Sequence, residues 1–180
     1  MNSMVNIFKK EKLLGAQVNW DDVYRECLPR VYNFFRYRVG DDALAEDLTA
    51  LTFEKAWRAR ETFRQDAGAV TAWLFAIARN AATDHFRADR SEVQLDAVTE
   101  VGSPFSVEEN FQREDDSRRL EFLLAKLNVR DRELLAIKYG GGLTNREIAR
   151  VTGLSESNVG TILNRIVSRL RVEWEKNHER

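Results

Sequence analysis

LTNREIARVTGLSESNVGTILNRIVSRLR, residues 143–171, is the stretch that decides the fold of this chain. Thr144 and Glu147 have the spacing at which two side chains cap the start of a helix reciprocally. Gly153 stands where a sharp turn needs a positive φ, and Ser155 is a good N-cap for a second helix. Two helices that cross through so short a turn predict a helix-turn-helix.

The second of these helices has two distinct faces. Apolar residues recur on one of them at intervals of three and four, at Val159, Ile162, Leu163, Ile166 and Leu170. The other face carries side chains that can contact base edges and phosphates: Ser155, Ser157, Asn158, Thr161, Asn164, Arg165 and Arg169. A plain helical hairpin with a solvated polar face is the alternative, and the net charge of +6 over residues 117–171 favours DNA binding instead.

Two further helices are expected before this motif. One runs from about Asp131 to Tyr139, and the other is marked by apolar residues at Leu120, Phe122, Leu123, Leu124 and Leu127. The triple glycine at 140–142 is followed by no Gly-Lys-Ser/Thr, so it predicts a turn and not a phosphate loop.

An acidic segment separates this unit from the N-terminal half. Residues 91–116 carry a net charge of −7, contain Gly102 and Pro104, and show no sustained apolar period. They predict a flexible linker between two small helical domains. The formal net charge of −1 for the 180 residues therefore hides opposed patches.

The N-terminal half begins with helical periodicity over residues 20–39, and Pro29 predicts a break within it. The next run, DDALAEDLTALTFEKAWRAR at 41–60, predicts a helix that buries Leu44, Leu48 and Leu51. We expect its acidic residues to lie on the solvent-exposed face of this helix. No nucleophile lies near them in sequence, so a docking surface for a basic partner is favoured over acid/base catalysis.

Residues 70–90, VTAWLFAIARNAATDHFRADR, predict a third helix with Trp73 on its core side. Asn80, Asp84 and Arg87 fall on one face of it. Basic and amide groups together with aromatic residues suit single-stranded nucleic acid, because aromatics stack on exposed bases while arginines follow the backbone.

Several function classes are excluded by composition. Cys27 is the single cysteine, and His85 and His178 lie far apart, so no disulfide, metal site or cofactor is expected. No catalytic constellation is present. The N-terminus has neither a signal-peptide core nor a spanning run, so no membrane insertion and a cytoplasmic location are expected. The predicted class is all-α.

Three blocks together resemble a known family. DDALAEDLTALTFEKAWR, AWLFAIARNAATDHFR and residues 143–171, in this order, are similar to the two domains of bacterial sigma factors of the extracytoplasmic-function (ECF) subgroup of the sigma-70 family. The resemblance implies a factor that binds core RNA polymerase, directs it to promoters and melts DNA. It divides the chain into an N-terminal extension (1–19), region 2 (20–93), a linker (94–116) and a region 4 helix-turn-helix (117–176).

The resemblance also assigns residues. It places Asp47, Leu48, Phe53 and Trp57 on the helix that docks on the polymerase beta-prime clamp helices. It assigns the minus-10 element to Phe63, Arg64, Asn80, Asp84, Arg87 and Arg90. It assigns the minus-35 element to the outward face of the second motif helix, the seven residues from Ser155 to Arg169 given above. The polymerase beta flap and an anti-sigma factor are further partners that it implies.

The match has departures. The family usually carries Thr-Val-Lys-Ser-Arg where this chain has residues 158–162, Asn-Val-Gly-Thr-Ile, and Val167 replaces a common basic residue. We expect weaker or differently specified minus-35 binding, because each lost phosphate contact lowers affinity. A freestanding helix-turn-helix regulator is the alternative function, although it would need neither the acidic helix nor the single-strand face.

Overall fold

The computed structural model describes residues 18–63, 70–93 and 115–176, and within these ranges the chain is helical with no strand. The elements are α1 (Trp20–Val39), α2 (Asp42–Ala59), a 3₁₀ turn (Arg60–Thr62), α3 (Val70–Val93), α4 (Asp115–Ala125), α5 (Val129–Leu135), a π turn (Ala136–Gly140), α6 (Asn145–Thr152) and α7 (Glu156–Lys176). The predicted class of two small helical domains is confirmed. The predicted N-terminal extension and linker lie almost wholly outside the described residues, as does the loop at 64–69.

Local sequence explains where the first helices begin and end. The side chain of Asn19 accepts hydrogen bonds from the backbone N–H groups of Asp21 and Asp22, which caps α1. Gly40 ends that helix with a φ of 75°. Asp41 then caps α2 by accepting from the N–H of Leu44 at 2.7 Å.

The break predicted at Pro29 is wrong, because α1 runs through that residue without interruption. Proline removes one hydrogen bond, which leaves the carbonyl oxygen of Arg25 without its helical partner. Pro29 and Arg25 both lie on the exposed face of the helix, where water can satisfy that oxygen. The opposite face buries Val31, Phe34 and Phe35 completely, and this packing outweighs the local cost.

The predicted burial of Leu51 is also wrong, since that residue is 36% exposed. The buried face of α2 instead contains two threonines, Thr49 and Thr52. Their hydroxyls donate to the carbonyl oxygens of Ala45 at 2.6 Å and Leu48 at 2.7 Å, so neither is unsatisfied in the core. Phe122, one of the apolar residues that mark the helix at 115–125, is exposed on α4.

The two helical units share one hydrophobic core. Helix α1 packs against the π turn, and α3 packs against α6. Buried residues from both units, such as Phe34 and Phe75 with Ile137 and Ile148, belong to a single apolar cluster. The units are therefore packed against each other in this structure.

Two glycines of the triple-glycine run pack tightly against the N-terminal unit. A Cβ on Gly140 would lie 2.7 Å from the carbonyl oxygen of Asn33, and one on Gly141 would lie 2.7 Å from Cζ of Phe75. Arg30 of α1 donates from Nε to the carbonyl oxygen of Gly141 at 2.8 Å. We call the contact of Asn33, Phe75, Gly140 and Gly141 the glycine seam.

Candidate nucleic-acid interface

The helix-turn-helix forms as its local sequence predicts. The hydroxyl of Thr144 accepts from the N–H of Glu147 at 3.3 Å, while the carboxylate of Glu147 accepts from the N–H of Thr144 at 2.8 Å. Gly153 has a φ of 75° and ends α6. The hydroxyl of Ser155 accepts from the N–H of Asn158 at 3.2 Å and caps α7. The two helices are thus held by caps within the motif.

Helix α7 buries one face and exposes the other. Val159, Ile162, Leu163 and Ile166 are buried against the preceding helices. The seven residues predicted to read duplex DNA are all exposed, and they are Ser155, Ser157, Asn158, Thr161, Asn164, Arg165 and Arg169. The structure therefore brings all of them to one accessible surface of the helix.

A buried carboxylate that the sequence reasoning missed anchors two of these residues. Asp131, at the start of α5, accepts from Nη2 of Arg169 at 3.1 Å and lies 3.7 Å from Nη2 of Arg165. The amide of Asn128 donates to the same carboxylate at 3.1 Å. The signal in the sequence was the Asn128–Asp131 spacing of a helix cap, but no local pattern points from α5 to α7. Because each arginine has five N–H donors, groups remain for DNA.

The predicted single-strand face on α3 is also exposed. Asn80, Asp84 and Arg87 are accessible along one side of the helix. Asp84 has its Oδ2 3.5 Å from Nζ of Lys55 on α2, which ties this face to the neighbouring helix. Arg64 and the side chain of Arg90, both predicted for the same site, lie outside the described residues.

Phe63 belongs to an aromatic cluster at one end of α3. Its ring centroid is 5.3 Å from that of Trp73 and 6.1 Å from that of Trp20. Trp20 and Trp73 also contact each other, with centroids 5.8 Å apart. The core-side position expected for Trp73 is thus observed, and it holds Phe63 beside the loop at 64–69.

Helix α2 presents a mixed acidic and apolar surface. Asp47 is exposed, and Trp57 is 56% exposed beside the half-buried Phe53. Tyr24 of α1, which the sequence reasoning did not select, packs its ring 4.9 Å from that of Phe53 and is itself largely exposed. A cavity of about 240 Å³ opens among these aromatic residues. Leu48, in contrast, is only 3% exposed and lies in the core.

Comparison with known proteins places both units in one family. Residues 23–92 match the model described as Sigma-70 region 2, and residues 117–170 match Sigma-70, region 4. The chain is 30% identical over 141 residues to the RNA polymerase sigma factor CarQ of Myxococcus xanthus, and the match covers 78% of this chain and 80% of CarQ. The chain belongs to the ECF subgroup of the sigma-70 family. As a sigma factor, it is a transcription initiation factor that directs RNA polymerase to promoters.

Further similarities agree with this assignment. The chain is 34% identical over 154 residues to the ECF sigma factor BldN of Streptomyces coelicolor, and the match covers 82% of this chain but only 57% of BldN. The solved structure of the sigma factor RpoE from Bartonella quintana, in complex with the anti-sigma factor NepR, superposes with a TM-score of 0.71 at 22% identity. That match covers 87% of this chain and 97% of RpoE, and it shows a shared fold. The freestanding regulator is thus not favoured.

In the parts of the sigma factor that the structure describes, every helix is too short or too polar to cross a bilayer.

Proposed function

We propose that this sigma factor divides its work between the two helical units. Residues 20–93 act as region 2, which binds polymerase and the minus-10 element, and residues 117–176 act as region 4, which reads the minus-35 element. Residues 1–19 are an N-terminal extension, and residues 94–116 connect the two. The observation that supports this proposal is that each unit exposes its own set of polar and basic side chains, one on α3 and one on α7.

For polymerase, we assign the docking surface to Asp47, Phe53 and Trp57 on α2. The exposed carboxylate complements a basic partner, and the exposed indole is the kind of large apolar group that anchors protein interfaces. Tyr24 extends this surface from α1. Leu48 is buried, so its role is to hold α2 in place. The partner that we propose for this surface is the pair of clamp helices of beta-prime. The beta flap is the partner that we propose for region 4.

For the minus-10 element, Asn80, Asp84 and Arg87 of α3 provide polar contacts to the opened strand. Phe63, Arg64 and Arg90 complete the set predicted from the resemblance. Opening DNA exposes bases that can leave the stack and bind a protein pocket. The rings of Trp20 and Trp73 hold Phe63 in place.

For the minus-35 element, α7 enters the major groove with its seven exposed polar and basic residues. Asp131 holds Arg169 in place before DNA arrives, which reduces the side-chain entropy lost on binding. Gly160, Ile162 and Val167 supply no basic group, and Ile162 is buried. We therefore propose weaker minus-35 binding than in relatives with basic residues there, with a flatter salt dependence.

The remaining partners and setting follow from the family. The solved RpoE of Bartonella quintana was crystallised with an anti-sigma factor. We propose that this sigma factor is likewise held by an anti-sigma factor. We also propose that it acts in the cytoplasm as a non-enzymatic factor without a cofactor.

In vitro transcription tests these assignments. Purified sigma factor with core RNA polymerase is expected to give promoter-dependent transcripts. Asp47→Lys should reduce polymerase binding at least about tenfold, because it reverses the charge at the docking surface. Glu26→Lys, an exposed charge reversal on α1, is the matched control. A protein that footprints a duplex palindrome alone, and gives no transcript with polymerase, would contradict the proposal.

The minus-35 assignment has its own test. Arg165→Ala is expected to weaken binding to upstream duplex DNA by roughly three- to tenfold through the loss of one charged contact. Arg150→Ala, on the exposed face of α6, serves as the control. Footprinting of the polymerase complex measures the effect, and equal protection by both variants would remove Arg165 from the readout.

A further inference from the structure

A groove of about 780 Å³ lies between the two units and is lined by none of the residues of the glycine seam. Helices α1 and α3 provide one wall, and α5 and α6 provide the other. Five arginines line it, and they are Arg38, Arg79, Arg87, Arg130 and Arg132. We call this feature the arginine groove.

The described lining of the arginine groove is mostly basic. Among the described residues that line it, Glu133 is the one carboxylate, and its Oε1 lies 3.2 Å from Nε of Arg79. Burial lowers the pKa of Arg38, attraction to Glu133 opposes this change, and repulsion from Arg79 adds to it. Burial and repulsion from Arg38 lower the pKa of Arg132. Arg38 is therefore repelled by both Arg79 and Arg132 in a partly buried setting.

Arg38 has a buried hydrogen-bond donor that no described residue satisfies. Its side chain is packed at the wall of the groove with only 5% exposure, and its guanidinium carbon lies 4.9 Å from the ring centroid of Phe86. Within the part of the chain that the structure describes, its buried Nε has no hydrogen-bond partner. A buried, charged donor without a partner is rare in folded proteins, because it loses its hydration without replacement.

We propose that the arginine groove binds a small anion with two or more linked phosphate groups, of the class of diphosphate and nucleoside polyphosphates. A terminal phosphate carries roughly −1.5 to −2 charges near neutral pH, so a short phosphate chain supplies acceptors for the buried Arg38 and for the exposed Arg87 and Arg130. One guanidinium group can bind two phosphate oxygens at once through parallel hydrogen bonds. A site lined by arginines therefore suits a phosphate chain. The volume also lies in the range of ordinary small-ligand sites.

A small ligand fits this site better than promoter DNA does. Arg38 is buried between the units, where the backbone of a nucleic acid strand does not reach. Of the predicted DNA-facing residues on α3, Asn80 and Asp84 do not line the groove, whereas Arg87 does. The site therefore shares Arg87 with the proposed minus-10 surface and otherwise lies outside the promoter and polymerase surfaces proposed above.

Binding at this site is coupled to the packing of the two units. Since α1 and α3 belong to one unit and α5 and α6 to the other, an anion held between them stabilises the packed arrangement by mass action. Anion binding would consequently raise the melting temperature of the whole protein, and the rise would grow with the logarithm of the anion concentration once that exceeds the dissociation constant.

Calorimetric titration and thermal melting of the full chain test the proposal, with inorganic diphosphate as the first probe and ATP and GTP as further probes. Saturable heat and a rising melting temperature are expected for diphosphate at constant ionic strength. Similar affinity for all three probes places recognition on the phosphates, while tighter binding of one nucleotide adds a contact to its base. Sodium chloride and sulfate at the same ionic strength serve as references.

Matched variants localise the binding. Arg130→Gln, on the exposed rim of the groove, is expected to weaken diphosphate binding about tenfold, as the loss of one charge-assisted hydrogen bond would. Arg38→Gln should weaken diphosphate binding further, but replacing this buried side chain can also destabilise the protein. Arg130→Gln is therefore the decisive variant. Arg150→Gln on α6, outside the groove, should leave binding unchanged.

Three results would overturn the site. One is a melting temperature that follows ionic strength alone, whichever salt is used. Another is equal weakening by Arg130→Gln and Arg150→Gln, which would indicate a diffuse field. The last is single-stranded DNA that binds through Arg130 while diphosphate does not, which would assign the groove to the promoter interface.

Discussion

The glycine seam and the arginine groove are two parts of the same contact between the helical units, and they are built in opposite ways. At the seam, Gly140 and Gly141 have no side chains, so the π turn approaches the backbone of α1 and the ring of Phe75 directly. At the groove, long cationic side chains line a space of about 780 Å³. One contact is closely packed and made by uncharged groups, and the other is charged and open.

The difference indicates which part sets the arrangement of the units. Close packing has a narrow optimum, because even one extra methyl group at the seam meets atoms that cannot move freely. Charged side chains on flexible stems act over longer distances and tolerate small displacements. We infer that the seam fixes how the units pack, whereas the groove is the part that a ligand can influence.

Gly141→Val is expected to have the largest effect on stability, because it would disrupt the close packing at the glycine seam. Its Cβ would meet Cζ of Phe75 at 2.7 Å and the carbonyl oxygen of Ile137 at 2.8 Å. Overpacking of this kind lowers the free energy of unfolding by about 1–3 kcal/mol. Urea unfolding followed by circular dichroism measures the loss, and an unchanged transition would show that the seam does not hold the units together.

Glu133→Gln is expected to have the second-largest effect on stability, because it would remove the carboxylate from the arginine groove. Arg38 is then left with less compensation, while Arg79 is about one-third exposed and remains partly solvated. Because solvent screens the exposed part of this ion pair, we expect the free energy of unfolding to fall by only about 1–2 kcal/mol. Affinity for diphosphate should increase in the same variant, since a competing anion is gone.

A surface pair provides the control for that substitution. Glu54 and Arg58 form an ion pair at 2.6 Å on α2, where both side chains are more than half exposed. Glu54→Gln is expected to change stability by no more than about 0.5 kcal/mol. Equal losses from Glu133→Gln and Glu54→Gln would mean that the groove carboxylate has no special role.

Gly160→Ala is expected to have the smallest effect, and of the opposite sign. This glycine lies inside α7, where an added Cβ would meet only Nδ2 of Asn145, at 3.4 Å. A gain in unfolding free energy of roughly 0.5 kcal/mol is expected, because alanine loses less entropy in a helix. The same urea experiment measures it, and a large loss would contradict the distinction between glycines at the seam and elsewhere.

The sequence predicted the helix-turn-helix well because its signals are local. Thr144 and Glu147 are three residues apart, and Gly153 and Ser155 adjoin the ends of the helices that they define. The exposed face of α7 followed from periodicity alone. Helix α1 shows the limit of this approach, since Pro29 predicted a break that distant packing overrides.

By itself, then, the sequence determined the helices, their caps and the faces that they expose, because those depend on residues within a turn or two of each other. Only the tertiary structure decided that Arg30 bonds to Gly141, 111 residues away, and that Asp131 anchors Arg169. It also decided that five arginines from both units meet at one groove. Such contacts depend on how close two surfaces approach, and the glycines that permit that approach are locally indistinguishable from the residues of an ordinary turn.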